Sequence, residues 1–336
     1  MATAKPKVIA KKTTVQKAAK PVAKAPAAKK VAAKKVAAKK VVAKKLAAKP
    51  AVKVFQFYTE AWQREVLDPA FVPLDNAKDA GNELREVALF ERLLKDGSAK
   101  DAPLWGAVSW QFTEKTGLKG AELLKQVADN PGHDVYFCNP YASNEATFHN
   151  TWMQGVTEFP QFLAVAQAVF KAAGLDESEL TSVHPSSSYS RGNYFVASPK
   201  FWALYLTFVR QVLAAAEKKL PAAVLNVLHT KLPDPRGVYQ GATYVPLIVE
   251  RLFSYFMHKH GKGLKSFKLV LPKAEAELNV HQKLLREMKN VAHQTKSPWM
   301  AACWVNYRNL YLAQNNSKAW CAKYLRVVTP AEVRFA

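Results

Sequence analysis

Acidic residues, arginine and glycine are all missing from the first 53 residues of this 336-residue sequence. The segment holds 17 of the 49 basic residues, every one a lysine, which leaves 32 basic residues against all 26 acidic ones in residues 54–336. The net charge of +23 is therefore concentrated at the N-terminus. Because such a segment repels itself and has little apolar surface to bury, we predict a disordered tail over residues 1–53 and one folded domain over residues 54–336.

Cysteine is scarce, and long apolar runs are absent. Cys138, Cys303 and Cys321 are too few and too scattered for a disulfide framework or a cysteine-based metal site. The N-terminal lysines are followed neither by the apolar stretch of a secretory signal nor by the Arg and Ser of a mitochondrial presequence. No segment reaches the ~20 apolar residues that a membrane span needs. We therefore expect a cytoplasmic protein with no transmembrane segment.

Familiar nucleotide-binding and catalytic motifs are missing as well. The sequence contains no Walker loop, no glycine-rich dinucleotide fingerprint and no G-x-S-x-G elbow. Outside the lysine-rich segment, nothing resembles a helix-turn-helix or zinc-finger module. His258 and His260 are two residues apart, a spacing that does not place two metal ligands on one face of a helix.

The tail does contain a repeat of five residues. Residues 29–49 are four copies of a K-K-V-A-A-like unit followed by one more lysine. Five residues rotate an ideal helix by about 140° beyond one full turn, so the lysine pairs wind around it and leave no apolar face for a bilayer. Phosphates would neutralise these lysines without reading sequence. We expect DNA or another polyanion to bind at Lys29, Lys30, Lys34, Lys35, Lys39, Lys40, Lys44 and Lys45.

The Lys/Ala/Pro composition of residues 1–53 resembles the C-terminal tails of linker histones and the bacterial histone-like proteins that share such repeats. This resemblance implies DNA binding and an association with the nucleoid. Two other uses of the tail stay open: it solubilises the chain, or it contacts an anionic membrane. A polybasic run without a lipid anchor holds membranes weakly, which favours the polyanion.

Residues 54–336 alternate between patterns typical of strands and patterns typical of helices. This alternation predicts an α/β domain with a mixed, largely parallel sheet flanked by helices, and a helical extension over about 274–336. Ligands of such sheets bind beyond the carboxyl ends of the strands. Strands are predicted at 54–59, 104–112, 134–138, 193–197 and 267–271. Helices are predicted at 83–95, 120–129, 141–174 with a break near 159–160, 199–219, 222–229, 244–260, 274–292 and 298–325.

Five segments of this domain follow one another in an order typical of a single family. They are residues 74–90 (L-D-N…N-E-L-R-E…F), 105–112 (W-G-A-V-S-W-Q-F), 134–140 (D-V-Y-F-C-N-P), 193–202 (N-Y-F-V-A-S-P-K-F-W) and 249–253 (V-E-R-L-F). Together they resemble the glycosyltransferase-like domains of bacterial capsular and surface polysaccharide gene clusters, of the nucleotide-sugar (GT-A) type. The resemblance covers residues 54–260 and implies a GT-A-like fold, a nucleotide-diphosphate sugar donor and a glycan acceptor.

The resemblance also implies a divalent metal, Mn²⁺ or Mg²⁺, because GT-A enzymes commonly hold one on a D-x-D pair to offset the charge of the leaving diphosphate. This sequence departs from that pattern. Asp134 supplies only the first carboxylate, and Asp75 and Asp79 are spaced too widely. Asp134 is therefore the candidate metal ligand and a candidate catalytic residue. Alternatively, it only caps the start of a strand.

The same resemblance nominates residues that contact the donor. Asp75, Asn76 and Asn82 are candidates for contacts to the nucleotide, although Asp and Asn in loops often only build turns. Glu83, Arg85 and Glu86 are candidates for a charge network at the ribose or diphosphate, although acids also favour a solvated first helical turn.

The pair Glu250-Arg251 lies inside an apolar helical pattern, where ionised groups are costly unless they are paired. Glu250 is the candidate general base of an inverting sugar transfer, and Arg251 is a candidate donor-binding residue. Alternatively, the two form a structural ion pair. The sequence thus predicts a glycosyltransferase tethered to a polyanion. Its rival is a non-enzymatic, histone-like DNA-binding nucleoid protein whose folded domain is catalytically silent.

Overall fold

The computed structural model describes residues 52–233 and 241–336. The predicted tail lies outside the described residues up to position 51, and so do its eight candidate polyanion-binding lysines. The first strand begins at Val52, two residues before the predicted start of the domain. Lys53 therefore belongs to the folded part, where its Nζ donates a hydrogen bond to the carbonyl of Ser98 at 2.7 Å.

The strands are β1 (Val52–Tyr58), β2 (Val72–Asp75), β3 (Leu104–Ser109), β4 (Val135–Phe137), β5 (Phe195–Ala197) and β6 (Ser266–Lys268). The helices are α1 (Glu86–Lys95), α2 (Phe112–Thr116), α3 (Gly120–Asp129), α4 (Ala142–Thr147), α5 (Thr151–Gly155), α6 (Phe162–Ala173), α7 (Pro199–Lys219), α8 (Ala222–His229), α9 (Tyr244–Lys259), α10 (Pro272–Glu277), α11 (Val280–Thr295), α12 (Pro298–Asn315) and α13 (Lys318–Trp320). Short 3₁₀ helices cover Ala61–Val66, Ala77–Asp79, Glu177–Leu180 and Ser186–Ser188, and a π-helical turn covers Cys321–Leu325.

The six strands form one sheet in the order β2-β1-β3-β5-β4-β6. Strand β5 runs antiparallel to both of its neighbours, and the other pairings are parallel. The predicted α/β class with a mixed, largely parallel sheet is therefore confirmed. The carboxyl ends of five strands meet the amino end of β5 along one edge, where the sequence analysis expects a ligand.

Alternate side chains of the four central strands, β1, β3, β4 and β5, enter two separate apolar cores. On β1, Phe55 packs in a core built largely from α1, α6, α7 and α9, whereas Val54 packs in the core of the opposite face with residues of α3. This alternation is the period-2 pattern of a strand, so helices cover both faces of the sheet.

Gly106 of β3 permits the close approach of β5. A Cβ at this position would lie 1.9 Å from the carbonyl oxygen of Phe195, which is a backbone atom that cannot turn away. This contact fixes β5 against the centre of the sheet. The residues that precede β5 therefore reach the edge where the parallel strands end.

Several predicted boundaries differ from the structure. The predicted helix 141–174 is divided into α4, α5 and α6, the predicted helix 274–292 is divided into α10 and α11, and the predicted strand 104–112 ends at Ser109. Strand β2 was not predicted. It contains Pro73, which has no backbone N–H to donate, and its position at the edge of the sheet tolerates that residue. The predicted helix 83–95 begins only at Glu86, since Arg85 has φ +47°. The predicted helix 298–325 ends at Asn315, and a new turn begins after Ser317, whose side chain caps it. In the described part of the chain, we find no helix whose length and apolar character would let it span a membrane.

Candidate active site

A cleft opens at the edge where β1 and β3 end and β5 begins. It consists of three adjoining pockets of about 170, 190 and 330 Å³. The first is lined by residues of β1, β3, the segment before β5, and α9. Arg85 is the residue that lines all three pockets.

The first pocket collects charges of both signs. Its basic side chains are Arg85, Lys115 and Arg191, and its carboxylates are Glu86 and Glu250. Because the three cations outnumber the two carboxylates in this lining, the pocket favours an anionic ligand, and the carboxylates are proton-accepting groups beside it. The structure thus brings together three of the residues considered in the sequence, Arg85, Glu86 and Glu250, although Glu250 is 165 positions from Arg85.

Glu250 reaches the cleft from the middle of α9 and keeps 22% of its side chain exposed. Its neighbour Arg251 is completely buried and donates to a carboxylate oxygen of Glu250. The remaining donors of Arg251 are used inside the protein: Nε donates to the carbonyl of Thr151 at 3.0 Å, and Nη2 donates to Gln154 Oε1 at 3.1 Å. Its guanidinium also lies over the ring of Phe162, 4.9 Å from the centroid.

The donor-binding role predicted for Arg251 needs correction, because a side chain with no exposed surface does not contact a ligand in the cleft. Consecutive residues of a helix point about 100° apart, so Glu250 faces the cleft and Arg251 faces the core. Burial lowers the pKa of Arg251, and Glu250 opposes that effect. Arg251 therefore acts as a positioning residue for Glu250.

Arg191 is a cleft residue that the sequence analysis missed. It forms a bidentate ion pair with Glu158, with N–O distances of 3.1 and 2.5 Å. Its guanidinium carbon lies 4.5 Å from the centroid of the Tyr141 ring. Burial alone would lower the pKa of Arg191, but Glu250 and Glu158 outweigh burial and raise the pKa above its ordinary value. The signal in the sequence was an Arg-Gly pair directly before a strand at the ligand-binding edge.

The backbone of Arg85 is unusual for a residue with a side chain. Its φ of +47° and ψ of −116° lie in a region that favours glycine, and it stands where α1 begins. Such conformations cost about 1–3 kcal/mol and cluster at functional sites. The strain is consistent with a demand for a cationic side chain at this position of the cleft.

We expect R85G to be more stable than R85A by about 1 kcal/mol, because both variants lose the same side chain but only glycine adopts this backbone without strain. Urea unfolding monitored by circular dichroism measures the difference. An R85A variant that equals or exceeds R85G in stability would show that the backbone at residue 85 is not strained.

Three candidate donor-binding residues have other partners. Asp75 Oδ1 accepts from the amide of Ala77 at 2.9 Å, and Asn82 Oδ1 accepts from the amide of Leu84 at 2.9 Å. Both are side-chain-to-backbone turns, the alternative weighed for these residues. Asn76 is buried, and its Oδ1 accepts from Arg92 at 2.9 Å. Asn76 and Asn82 line the outer pockets of the cleft, where they shape the wall.

Glu83 lines the third pocket of the cleft and contacts residues at the start of α9 and the end of α8. Its carboxylate accepts from Thr243 Oγ1 and lies 3.0 Å from His229 Nδ1. Thr243 caps the start of α9, so this contact holds the first turn of that helix against the loop before α1. Burial alone would lower the pKa of His229, but Glu83 and Glu217 raise it.

Asp134 lies at the opposite edge of the sheet, and the structure does not bring it near Glu250. It precedes β4, whose amino end is level with that of β3. Its Oδ2 accepts from the amide of Lys265 at 2.9 Å, and Oδ1 accepts from Ser198 Oγ at 3.3 Å. The cationic Lys200 Nζ lies 4.0 Å away. These partners make Asp134 a cap that ties β4 to α7, and they do not fit a ligand for Mn²⁺ or Mg²⁺.

Comparison with protein-family models, with curated proteins and with solved structures yields no match to this chain. The functional interpretation therefore depends on the geometry of the cleft and on the sequence patterns described above.

Proposed function

We propose that the chain is a glycosyltransferase that binds a nucleotide-diphosphate sugar in the cleft and transfers the sugar to a glycan or another acceptor. The observation that carries the proposal is one pocket at the carboxyl edge of the sheet with three cations around a partly exposed glutamate. The mixed, largely parallel sheet is also the type of sheet that the family resemblance implies.

The cations have a defined task in this reaction. A leaving nucleoside diphosphate gains negative charge as the bond to the anomeric carbon breaks, and preorganised positive groups lower the energy of that state. Because the partners of Asp134 do not fit a divalent metal, we assign this task to Arg85, Lys115 and Arg191. Arg191 is pre-positioned by Glu158, so little reorganisation accompanies binding.

Glu250 supplies the proton acceptor. The acceptor hydroxyl attacks the anomeric carbon on the face opposite the diphosphate, the new C–O bond forms as the bond to phosphate breaks, and the diphosphate leaves with the electron pair. The carboxylate of Glu250 takes the hydroxyl proton, which gives an inverted product. Arg251 holds this carboxylate in place from the buried side of α9.

A thermal-shift screen of the full chain tests the proposal. Uridine and guanosine diphosphate sugars are added singly, each with and without manganese. One of these donors is expected to raise the unfolding temperature, since a ligand at 100 times its dissociation constant adds about 2.7 kcal/mol of stability. No shift with any donor favours the rival interpretation, a catalytically silent domain on a histone-like nucleoid protein.

The proposal assigns the lysine-rich tail to tethering on DNA or another polyanion in the cytoplasm, in association with the nucleoid if the polyanion is DNA. Its support is the sequence: 17 lysines without a single acidic residue in positions 1–53. Each phosphate contact lowers the slope of log affinity against log salt by about 0.9. The tail therefore determines location and leaves the chemistry to the cleft.

We expect DNA binding to depend less on salt when the eight candidate polyanion-binding lysines of the repeats are changed to glutamine. The slope of log affinity against log salt should become shallower by about 7, because eight phosphate contacts are lost. Fluorescence anisotropy with a labelled duplex measures it. The matched control changes the same eight positions to arginine, which keeps the charge and the slope. A slope that survives the glutamine changes would place the polyanion site outside the repeats.

A further inference from the structure

A second polar cluster lies away from the cleft, where the 3₁₀ helix Glu177–Leu180 and the segment after it meet the end of α9. Glu179 Oε2 is 3.1 Å from His184 Nε2 and 3.7 Å from His258 Nδ1. One ligand atom from each side chain lies within 4.8 Å of the other two. Within the described residues, this is the one group of three or more His, Cys, Asp or Glu side chains placed to hold a metal ion.

The three atoms that face one another in this cluster are close together but poorly aligned for hydrogen bonds. Glu179 Oε2, His184 Nε2 and His258 Nδ1 are all buried, and none of them forms a hydrogen bond of good geometry. Glu179 and His184 are almost fully enclosed, with 3% and 1% of their side chains exposed. Buried polar atoms are nearly always paired, so unpaired atoms that converge on one point indicate a missing partner.

Neighbouring side chains occupy the other polar atoms of Glu179 and His258 and leave one atom of each for a metal ion. Lys259 Nζ lies 2.9 Å from Glu179 Oε1, which occupies that oxygen and leaves Oε2 directed at the histidines. His258 Nε2 contacts Ser188 Oγ at 2.9 Å, and a proton on Nε2 leaves the Nδ1 lone pair available.

We propose that Glu179, His184 and His258 form a binding site for a zinc-class transition metal ion. Two imidazoles and one carboxylate are a recurrent ligand set for Zn²⁺, with water in the fourth position. In a tetrahedral site with such ligands, neighbouring ligand atoms are about 3.3 Å apart, a value that lies between the 3.1 and 3.7 Å contacts. Mg²⁺ and Mn²⁺ prefer all-oxygen sites and suit this cluster poorly.

The metal would brace α9, the helix that carries Glu250. His258 follows Glu250 by eight residues, which is about 12 Å along the helix axis. The site thus lies apart from the cleft and contributes no ligand to the donor. Its effect is to tie the 177–184 segment to the end of α9, so the inference is independent of the proposed sugar transfer.

The test uses the full chain freed of metal by a chelator and then titrated with Zn²⁺, or with Co²⁺ for its visible absorption. We expect one ion per chain and a higher unfolding temperature when it is bound. The variants H258Q and E179Q are expected to weaken binding by at least about 10-fold. H260Q is the matched control, because it removes a histidine two positions away and leaves the three ligands intact.

Either of two outcomes overturns the inference: the wild-type chain binds no ion, or H258Q binds as tightly as the wild type, which would place the ion elsewhere. If E179Q does not fold, H258Q carries the test, because His258 is the most exposed of the three ligands at 19%. The thermal shift with a sugar donor is measured in parallel. It is expected to persist in H258Q, so failure of the metal site and failure of the cleft are distinguishable.

Discussion

Replacing Glu250 with glutamine is expected to lower the rate of sugar transfer by about 10²–10⁴-fold while donor binding persists. The amide no longer accepts the proton of the attacking hydroxyl, and general base catalysis typically contributes a factor of this size. The amide oxygen still accepts the hydrogen bond of Arg251, so the fold and the shape of the cleft are retained.

Release of the nucleoside diphosphate under saturating donor and acceptor measures this rate. The control E277Q removes an exposed carboxylate of α10 outside the cleft and is expected to turn over like the wild type. The donor-induced thermal shift of E250Q separates a lost base from a lost binding site. Turnover of E250Q within a few-fold of the wild type would exclude Glu250 as the general base.

Replacing Arg251 with methionine is expected to lower the free energy of unfolding by about 3–5 kcal/mol. Removing the buried partner of an ion pair has a cost of this size when the groups that it pairs with are left without donors inside the protein. Here the carbonyl of Thr151 and the side chain of Gln154 would lose donors inside the core. Transfer activity is also expected to fall, since Glu250 loses its support.

Urea unfolding measures this cost against a matched variant, R210M. Arg210 pairs with Glu91 at the surface, with 51% of its side chain exposed, and such pairs contribute about 0–1 kcal/mol. R251K keeps the charge, but a lysine cannot reproduce the planar set of hydrogen-bond donors of a guanidinium. We therefore expect its loss of unfolding free energy to lie between those of R210M and R251M. If R251M and R210M are destabilised equally, Arg251 does not anchor α9.

Much of the fold could be predicted because the signals are local. The bounds of α3, α7 and α8 agree with the sequence prediction. Helix α7 illustrates the reason: Ser198 accepts from the amide of Phe201, and Pro199 occupies the first turn, as the sequence indicates. Strand β2 was missed because four residues with a proline carry a weak pattern, and its pairing with β1 depends on residues far away in the sequence.

The candidate site was predictable only in part. The sequence indicates that Glu250-Arg251 is unusual, but it does not reveal which of the two faces the cleft, because that depends on the rotation of α9 against the sheet. Asp134 was favoured by a motif although it precedes its strand, and a residue before a parallel strand lies at the edge opposite the ligand. Glu179 and His258 are brought together by tertiary packing alone, so no spacing in the sequence reveals that cluster.

The most direct test of the cleft compares donor binding by the full chain with donor binding by R85A. Isothermal titration calorimetry measures both affinities, with the sugar nucleotide that gives the largest thermal shift as the ligand. Arg85 lines all three pockets, so the wild-type chain is expected to bind one donor per chain, and R85A is expected to bind at least about 10-fold more weakly. Equal affinity in the two proteins, or no binding to the wild type, would contradict the assignment of this cleft to a nucleotide-diphosphate sugar.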